Sequence, residues 1–407
     1  MPAISLCIVN VATESQGPNR IMCLVGQFID FIGYARGGAE TNVEGLCRHA
    51  VDSRFSFEVV TSKSPFFAPD FQALDAPVLT ATSFYRMREA SFLFTGLVSD
   101  ILYRLPGLAY RLGVQKYFNR YDIIHCHSLD VAEMLKRKGT RTPAVLTVYN
   151  LIPERYRLSI CHLDYVILRS RTLMTELGEL DELRASPKIV YIPPGCEFSY
   201  YEPIETSASC ERTSIADSDV IRLLFVGRLR PFKNLETLLH AVKILNSEQT
   251  ARFTLTVVGS GPRKMELMTL ARDLGVSELV AFAGGYPSVQ MGGIYGSHDL
   301  VVVPSYYESF SQVSLEALVA QRRLLVSSGL KEFRSAFPDV PVCDPYSPND
   351  MARRILDVIA TPVVHVDSGD LSIFDWENVM QAHYDVYASL LDGRPHAGSK
   401  DQDLATR

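Results

Sequence analysis

Short apolar runs alternate with amphipathic stretches along nearly the whole chain, and no other feature of the sequence restricts the fold as strongly. Strands buried on both faces read as continuous apolar runs. Joining two parallel ones requires a helical crossover, so the alternation specifies βαβ units around parallel sheets. In the first half the runs are IMCLVGQF (21–28), FEVVTS (57–62), DIIHCH (122–127), AVLTVY (144–149), YVILRS (165–170) and IVYIP (189–193). Helical periodicity falls between them, at 39–50 and 129–138. In the second half IRLLFVG (221–227), FTLTVVG (253–259), LVAFAG (279–284), LVVVPS (300–305) and RLLVSS (323–328) repeat the pattern. Helices are expected there at 235–246, 263–274, 289–296 and 311–320. The early run ISLCIVNV (4–11) reads as an additional edge strand.

At 407 residues the chain exceeds one typical domain of ~100–200 residues. A polar stretch at 199–219 without strand or helix periodicity separates the halves, as an interdomain linker does. The expected fold class is therefore α/β, with two doubly wound domains over 1–200 and 220–373, joined by a linker at 201–219. A helix at 374–391 closes the ordered part, with Trp376, Val379, Met380, His383, Tyr384 and Tyr387 on one face. Residues 392–407 are polar and expected to be a disordered tail.

Composition removes several function classes. Forty basic against 46 acidic residues leave a net charge of −6, which argues against a general nucleic-acid binder. The eight cysteines are scattered, with no CxxC pair, as suits reduced thiols rather than a secreted disulfide scaffold. The N-terminus lacks the basic region of a secretion signal. The most apolar stretch, 92–112, is broken by Asp100, Arg104, Pro106 and Arg111, too soon for the ~20 apolar residues of a membrane span. A cytoplasmic protein, at most peripheral to the inner face of a membrane, is expected.

The chemistry-bearing residues cluster at strand ends. After LLFVG come Gly227, Arg228, Leu229, Arg230, Pro231, Phe232 and Lys233, then a helix opening near Asn234. Arg228 and Lys233, five positions apart on one loop, can both face a single anion, and a guanidinium fork with an ammonium point charge suits a diphosphate. In PSYYESFSQVSLEAL (304–318), Glu308 sits at a strand-to-helix turn and Glu316 about two helical turns further on. The free backbone N–H groups of Ser309, Phe310 and Ser311 at that helix start favour an anion or a sugar hydroxyl. Carboxylates accept paired hydrogen bonds from vicinal hydroxyls, so one glutamate suits a ribose and the other a sugar. Gly37 and Gly38 before the first helix, and Gly259 and Gly261 after the 253–259 strand, permit close backbone approach to phosphate, though such glycines alone mark turns.

Taken together, these stretches resemble the retaining glycosyltransferases of family 4, which have the two-domain GT-B fold. The resemblance runs from about Ile21 to Leu391 and is carried by ARGGAETN (35–42), DIIHCHS (122–128), YIPPGCE (191–197), LFVGRLRPFKNLETLLHAV (224–242), VVGSGP (257–262), HDLVVVPSYYESFSQVSLEALVA (298–320) and FDWENVMQAHYDVY (374–387). It implies that Arg228 and Lys233 bind the diphosphate of a nucleotide-sugar donor, that Glu316 binds the ribose, and that Glu308 lies beside the donor sugar. It further implies that the Gly37–Gly38 turn closes over the phosphates from an acceptor-binding N-terminal domain, and that the backbone around Ala281–Gly284, Phe282 included, reads the nucleobase edge. The helix at 374–391 would cross back to the N-terminal domain. No cofactor or metal is expected: the family uses its cations and helix dipole to stabilise the leaving diphosphate. The implied activity is transfer of a hexose-type sugar to a hydroxyl acceptor with retention, with UDP ranked ahead of GDP. A nucleotide-sugar 2-epimerase and a catalytically silent scaffold share the architecture.

Four departures from the family pattern stand out. Tyr149 occupies the position near the reaction centre where relatives carry a histidine; it can donate a hydrogen bond but does not titrate near neutral pH. Ser309 and Ser311 replace glycines around Phe310, Arg322 and Arg323 replace a Gly/Pro turn, and Glu197 stands where aspartate is usual. Asp217-Ser218-Asp219 has the form of a metal-binding DxD but falls in the linker, away from any nucleotide loop. His125 and His127 read as structural or acceptor-side groups. The segment 84–120 interleaves Arg86, Arg88, Arg104, Arg111, Lys116 and Arg120 with aromatic residues. It reads either as a helix packed on the domain with a solvated basic side or as a peripheral contact with anionic membrane.

Overall fold

In the computed structural model of the chain, the apolar runs pair into two all-parallel sheets. The structure describes residues 23–28, 38–52, 54–62, 78–81, 115–139, 142–149, 152, 154–178, 188–201, 220–248, 251–361, 363, 366 and 368–392. Outside them lie the 4–11 run, Gly37, residues 84–114, the linker beyond Tyr201 with its DxD, and the tail 393–407.

The first half runs β1 (Cys23–Phe28), α1 (Gly38–Arg48), β2 (Phe55–Ser62), β3 (Val78–Ala81), β4 (Ile123–Cys126), α2 (Leu129–Lys138), β5 (Ala144–Val148), α3 (Glu154–Ile160), β6 (Tyr165–Leu168), α4 (Arg171–Gly178) and β7 (Lys188–Tyr191). Its strands lie in the order β3-β2-β1-β4-β5-β6-β7. The second half runs β8 (Val220–Val226), α5 (Leu235–Glu248), β9 (Arg252–Val258), α6 (Lys264–Asp273), β10 (Val280–Gly284), α7 (Met291–Gly296), β11 (Leu300–Val303), α8 (Gln312–Val319), β12 (Arg323–Ser327), α9 (Lys331–Ala336), β13 (Val342–Cys343), α10 (Pro348–Ala360), α11 (Ser368–Leu371) and α12 (Trp376–Asp392). Its sheet order is β10-β9-β8-β11-β12-β13. Both orders reverse direction once, between β1 and β4 and between β8 and β11. In such sheets ligands bind outside the strand ends at that switch.

Period-two alternation distributes the core. On β11, Leu300 and Val302 face one side of the second sheet with α5, α6 and α10, while Val301 and Val303 face the other with α7, α8 and α9. α12 belongs to neither: Trp376, Val379, Met380, Tyr384 and Tyr387 pack into the core of the first half. Trp376, the only tryptophan, is wedged between α1 and the crossover, the segment 192–201 that follows β7. A Cβ on Gly45 would lie 1.8 Å, and one on Gly195 2.5 Å, from its ring.

The sequence pattern misses β3, β13, α3, α4, α9, α10 and α11. α10 carries a readable start, with Ser347 capping the Asp350 amide and Pro348 in the first turn. At the end of the basic, aromatic segment one residue turns inward while Arg120 stays exposed. Phe118 is in the core, and Arg120 is tied to Glu58 at 2.7 Å.

Candidate functional site

The two switch points bring the site residues to facing strand ends. On the second half, the loop after β8 lies against the loop after β9. The Gly227 amide donates to the Val258 carbonyl at 2.9 Å and the Leu229 amide to the Ser260 carbonyl at 2.9 Å. Gly259, at φ 134°, is the residue that allows this approach, because a Cβ there would lie 1.9 Å from the Gly227 carbonyl oxygen. Gly261 makes the same close approach to Leu229.

Asn234 fixes the end of that loop. It adopts φ 54°, is fully buried, and donates to the Pro304 carbonyl at 3.0 Å and the Pro345 carbonyl at 2.7 Å. The loop after β8 is thereby tied to the loop after β11, and Lys233 is presented directly to Glu308. The Lys233 Nζ–Glu308 Oε1 separation is 2.7 Å, and the Ser305 hydroxyl donates to the same carboxylate oxygen at 2.7 Å. Both side chains keep about an eighth of their surface exposed, 13% and 12%, so the pair is desolvated yet reachable. Arg228 is half-buried on the same loop.

α8 begins at the same strand end. Its N-cap is Ser311, whose hydroxyl accepts from the Ser314 amide at 3.3 Å and from the Ser314 hydroxyl at 2.7 Å. One turn in, Glu316 faces a small cavity of about 30 Å³ that opens between the halves, also lined by Thr41, Arg48, Tyr201 and Gln312. Burial pushes the Glu316 carboxyl up to about 7; hydrogen bonds from Tyr295, Tyr201 and Gln312 and the charge of Lys233 oppose that rise.

Phe282 packs its ring against the core of the second half, and Phe310 packs on Phe333 and Phe374. The roles expected of both residues are backbone roles, which these ring contacts do not alter. The Ser311 hydroxyl is spent on the cap, and Ser309 stays half-exposed. Gly38 opens α1 beside the first switch point.

Across the gap, the ends of β4, β5 and β6 gather a polar cluster. The Tyr149 hydroxyl accepts from Asn42 Nδ2 at 2.9 Å and lies 2.7 Å from His127 Nδ1. His125 is hydrogen-bonded to Tyr387 and Thr147, both at 2.7 Å. Arg169 is buried and donates to the Ile192 and Pro193 carbonyls and to Asn42. Burial lowers the pKa of His125, of His127 and of Arg169 itself; the positive charge of Arg169 adds to the effect on both histidines. The imidazoles are therefore neutral at neutral pH.

The halves also touch directly. Glu332, on α9, accepts from the Ser170 hydroxyl at 2.9 Å, the Arg171 amide at 2.6 Å and the Thr172 amide at 2.9 Å, capping α4 of the other half. Among the described residues no group of His, Cys, Asp and Glu is arranged to hold a metal ion, and no helix is long and apolar enough to cross a membrane. Sequence reasoning passed over Asn234, Arg169, Tyr201, Tyr295 and Glu332. Only Asn234 carried a local signal, an asparagine at the foot of a helix.

Comparison with known proteins agrees with this arrangement. The family model Glycosyltransferase Family 4 matches residues 36–199, and Glycosyl transferases group 1 matches residues 211–367. The chain is 29% identical over 321 residues to D-inositol 3-phosphate glycosyltransferase of Acidothermus cellulolyticus, spanning 70% of this chain and 71% of that protein. The fold matches that of Anabaena Alr3699/HepE in complex with UDP and glucose, with a TM-score of 0.66 at 17% identity over 88% of this chain and 98% of that one. Sucrose-phosphate synthase from Thermosynechococcus elongatus gives a TM-score of 0.63 at 18% identity, over 82% and 89% of the two chains. The chain belongs to the group 1 glycosyltransferases of the family 4 type and has their GT-B fold, two Rossmann-like α/β domains.

Proposed function

We propose that this transferase moves a hexose from a nucleoside diphosphate sugar to a hydroxyl acceptor, with retention at the anomeric carbon. The observation that carries the reading is the Lys233–Glu308 contact at 2.7 Å, beside the start of α8 and at the end of β8. Lys233 and Arg228 take the diphosphate, with the free amides at the start of α8 adding to the positive field. Glu308 lies beside the donor sugar, and Glu316 accepts from the ribose hydroxyls. UDP is the first candidate nucleotide and GDP the second. The bound UDP of the HepE structure, in a chain of the same fold, supports that order.

The acceptor enters from the side of His127, Tyr149 and Arg169. As the bond between the anomeric carbon and the diphosphate oxygen breaks, the acceptor oxygen bonds to the same face of the carbon. Its proton passes to the departing diphosphate oxygen. Lys233 and Arg228 stabilise the negative charge that develops there, so the reaction proceeds without a bound metal. Closure of the halves over the donor excludes water from the activated sugar.

Turnover of UDP-glucose and GDP-mannose, measured as nucleotide release with and without candidate acceptors, tests the reading. Lys233→Ala and Glu316→Ala are each expected to lower turnover ~100-fold or more. Wild-type rates in both folded variants contradict the assignment.

A further inference from the structure

Glu316 is not a free carboxylate. The Tyr295 hydroxyl donates to its Oε2 at 2.7 Å, and the Tyr201 hydroxyl and the Gln312 carboxamide also bond to it. Tyr295 is fully buried and Tyr201 nearly so, at 0% and 5% exposure. Their rings meet edge to face, 5.7 Å apart at 71°. The two phenols come from different places: Tyr295 from α7, and Tyr201 from the end of the crossover between the halves. The crossover and α7 are in backbone contact as well, because Gly292 has no side chain. A Cβ there would lie 1.9 Å from the Tyr200 carbonyl oxygen. Gln312 closes the ring by donating to the Gly195 carbonyl at 3.1 Å.

We propose that Tyr201 and Tyr295 are positioning residues for the nucleotide, holding the Glu316 carboxylate at the cavity wall in the orientation that accepts two vicinal ribose hydroxyls. The inference rests on the reading of Glu316 as the ribose-binding group and names the device that makes it competent. Because one of the two phenols belongs to the crossover, Glu316 is fully held only while the crossover is docked on α7, which couples nucleotide grip to the relation of the halves.

Besides the two phenols, the titratable groups acting on Glu316 are the Lys233 ammonium from the loop after β8 and the Cys196 thiol from the crossover. Glu44 and Arg48 of α1 and Glu197 of the crossover line the same cavity. Burial raises the Glu316 carboxyl to about 7 against the lowering effect of its hydrogen-bond donors. Removing one donor therefore raises it further, and a protonated carboxyl loses part of its capacity to accept from hydroxyls.

The test is calorimetric binding of UDP-glucose, without acceptor, between about pH 6 and about pH 8.5. The ligand's diphosphate does not titrate in that range. Wild-type affinity is expected to fall as pH drops through about 7, as Glu316 takes a proton. In Tyr295→Phe and Tyr201→Phe the limb moves to higher pH. A shift of about one unit weakens binding about fivefold at pH 7 and restores it at the alkaline end. Glu316→Gln binds weakly throughout, with no limb. The inference is overturned if both Phe variants, folded by circular dichroism, keep the wild-type limb. It is equally overturned if they lose affinity by the same factor at every pH, as a packing defect does. If Glu316→Gln binds like the wild type, or the wild type binds neither UDP-glucose nor GDP-mannose, the ribose assignment itself fails and takes the inference with it.

Discussion

Mild acid should destabilise this protein through three histidines that the fold keeps neutral. His125, His127 and His383 lie in ring contact in the core of the first half. Burial, and for all three the nearby Arg169 charge, lowers each pKa, with His383 falling to about 3. His383 donates from Nδ1 to the Val379 carbonyl and leaves Nε2 without a partner, so a proton added there has no acceptor. In the unfolded chain each imidazole titrates near ~6.5. As pH falls below that value the unfolded state gains protons that the native state refuses, and stability falls. Between pH 7.5 and pH 5.5 each histidine costs ~1.4 kcal/mol, or ~4 kcal/mol for the three.

Glu316 acts in the opposite sense. Its folded pKa, raised to about 7, means the native state gains a proton first as pH falls. It returns up to ~2 kcal/mol over the same interval, less for the part of its surface open to the cavity. The net loss is ~2–4 kcal/mol, a large share of a typical stability of ~5–15 kcal/mol. Urea unfolding followed by the fluorescence of Trp376, buried in the same core, measures it directly. Glu316→Gln removes the opposing group and should steepen the loss toward ~4 kcal/mol. A wild-type stability that is flat or higher at pH 5.5 refutes the reasoning.

Three further outcomes follow. Glu332→Ala strips three hydrogen bonds from the start of α4 and should cost ~1–2 kcal/mol, read as a lower melting temperature. Gly45→Ala places a methyl carbon 1.8 Å from the Trp376 ring, so the ring must shift. It should cost ~1–3 kcal/mol with a shifted tryptophan emission maximum, and unchanged emission and melting count against the packing described. The turnover losses of Lys233→Ala and Glu316→Ala stand beside these as the kinetic test.

Much of the fold can be read from the sequence because parallel core strands are continuous apolar runs, as in LVVV on β11 and VIRLLFV on β8. β13 escapes because two residues are too few to show a pattern, and β3 because its run, VLTA, has only two large apolar residues before a threonine, against four in LVVV on β11. Arg228, Lys233, Glu308 and Glu316 are legible because each sits in a short local motif at a strand end. The contacts that couple the halves are not legible, because their partners lie far apart in the chain: Glu332 meets Ser170 across 162 positions. Nor does the sequence reveal that Tyr201 and Tyr295 converge on Glu316, since burial of a phenol and capture of a carboxylate leave the same apolar pattern. Tyr149 shows both limits. Its place at the end of β5 is readable, whereas its bond to His127 at 2.7 Å is a fact of the fold alone.

A crystal structure grown with UDP, and another with GDP, puts the account to its most direct test. The diphosphate is expected within hydrogen-bond distance of Lys233 Nζ and the Arg228 guanidinium, at the start of α8, with ribose hydroxyls on Glu316. A nucleotide bound elsewhere, or seated with its diphosphate away from those two cations, contradicts it.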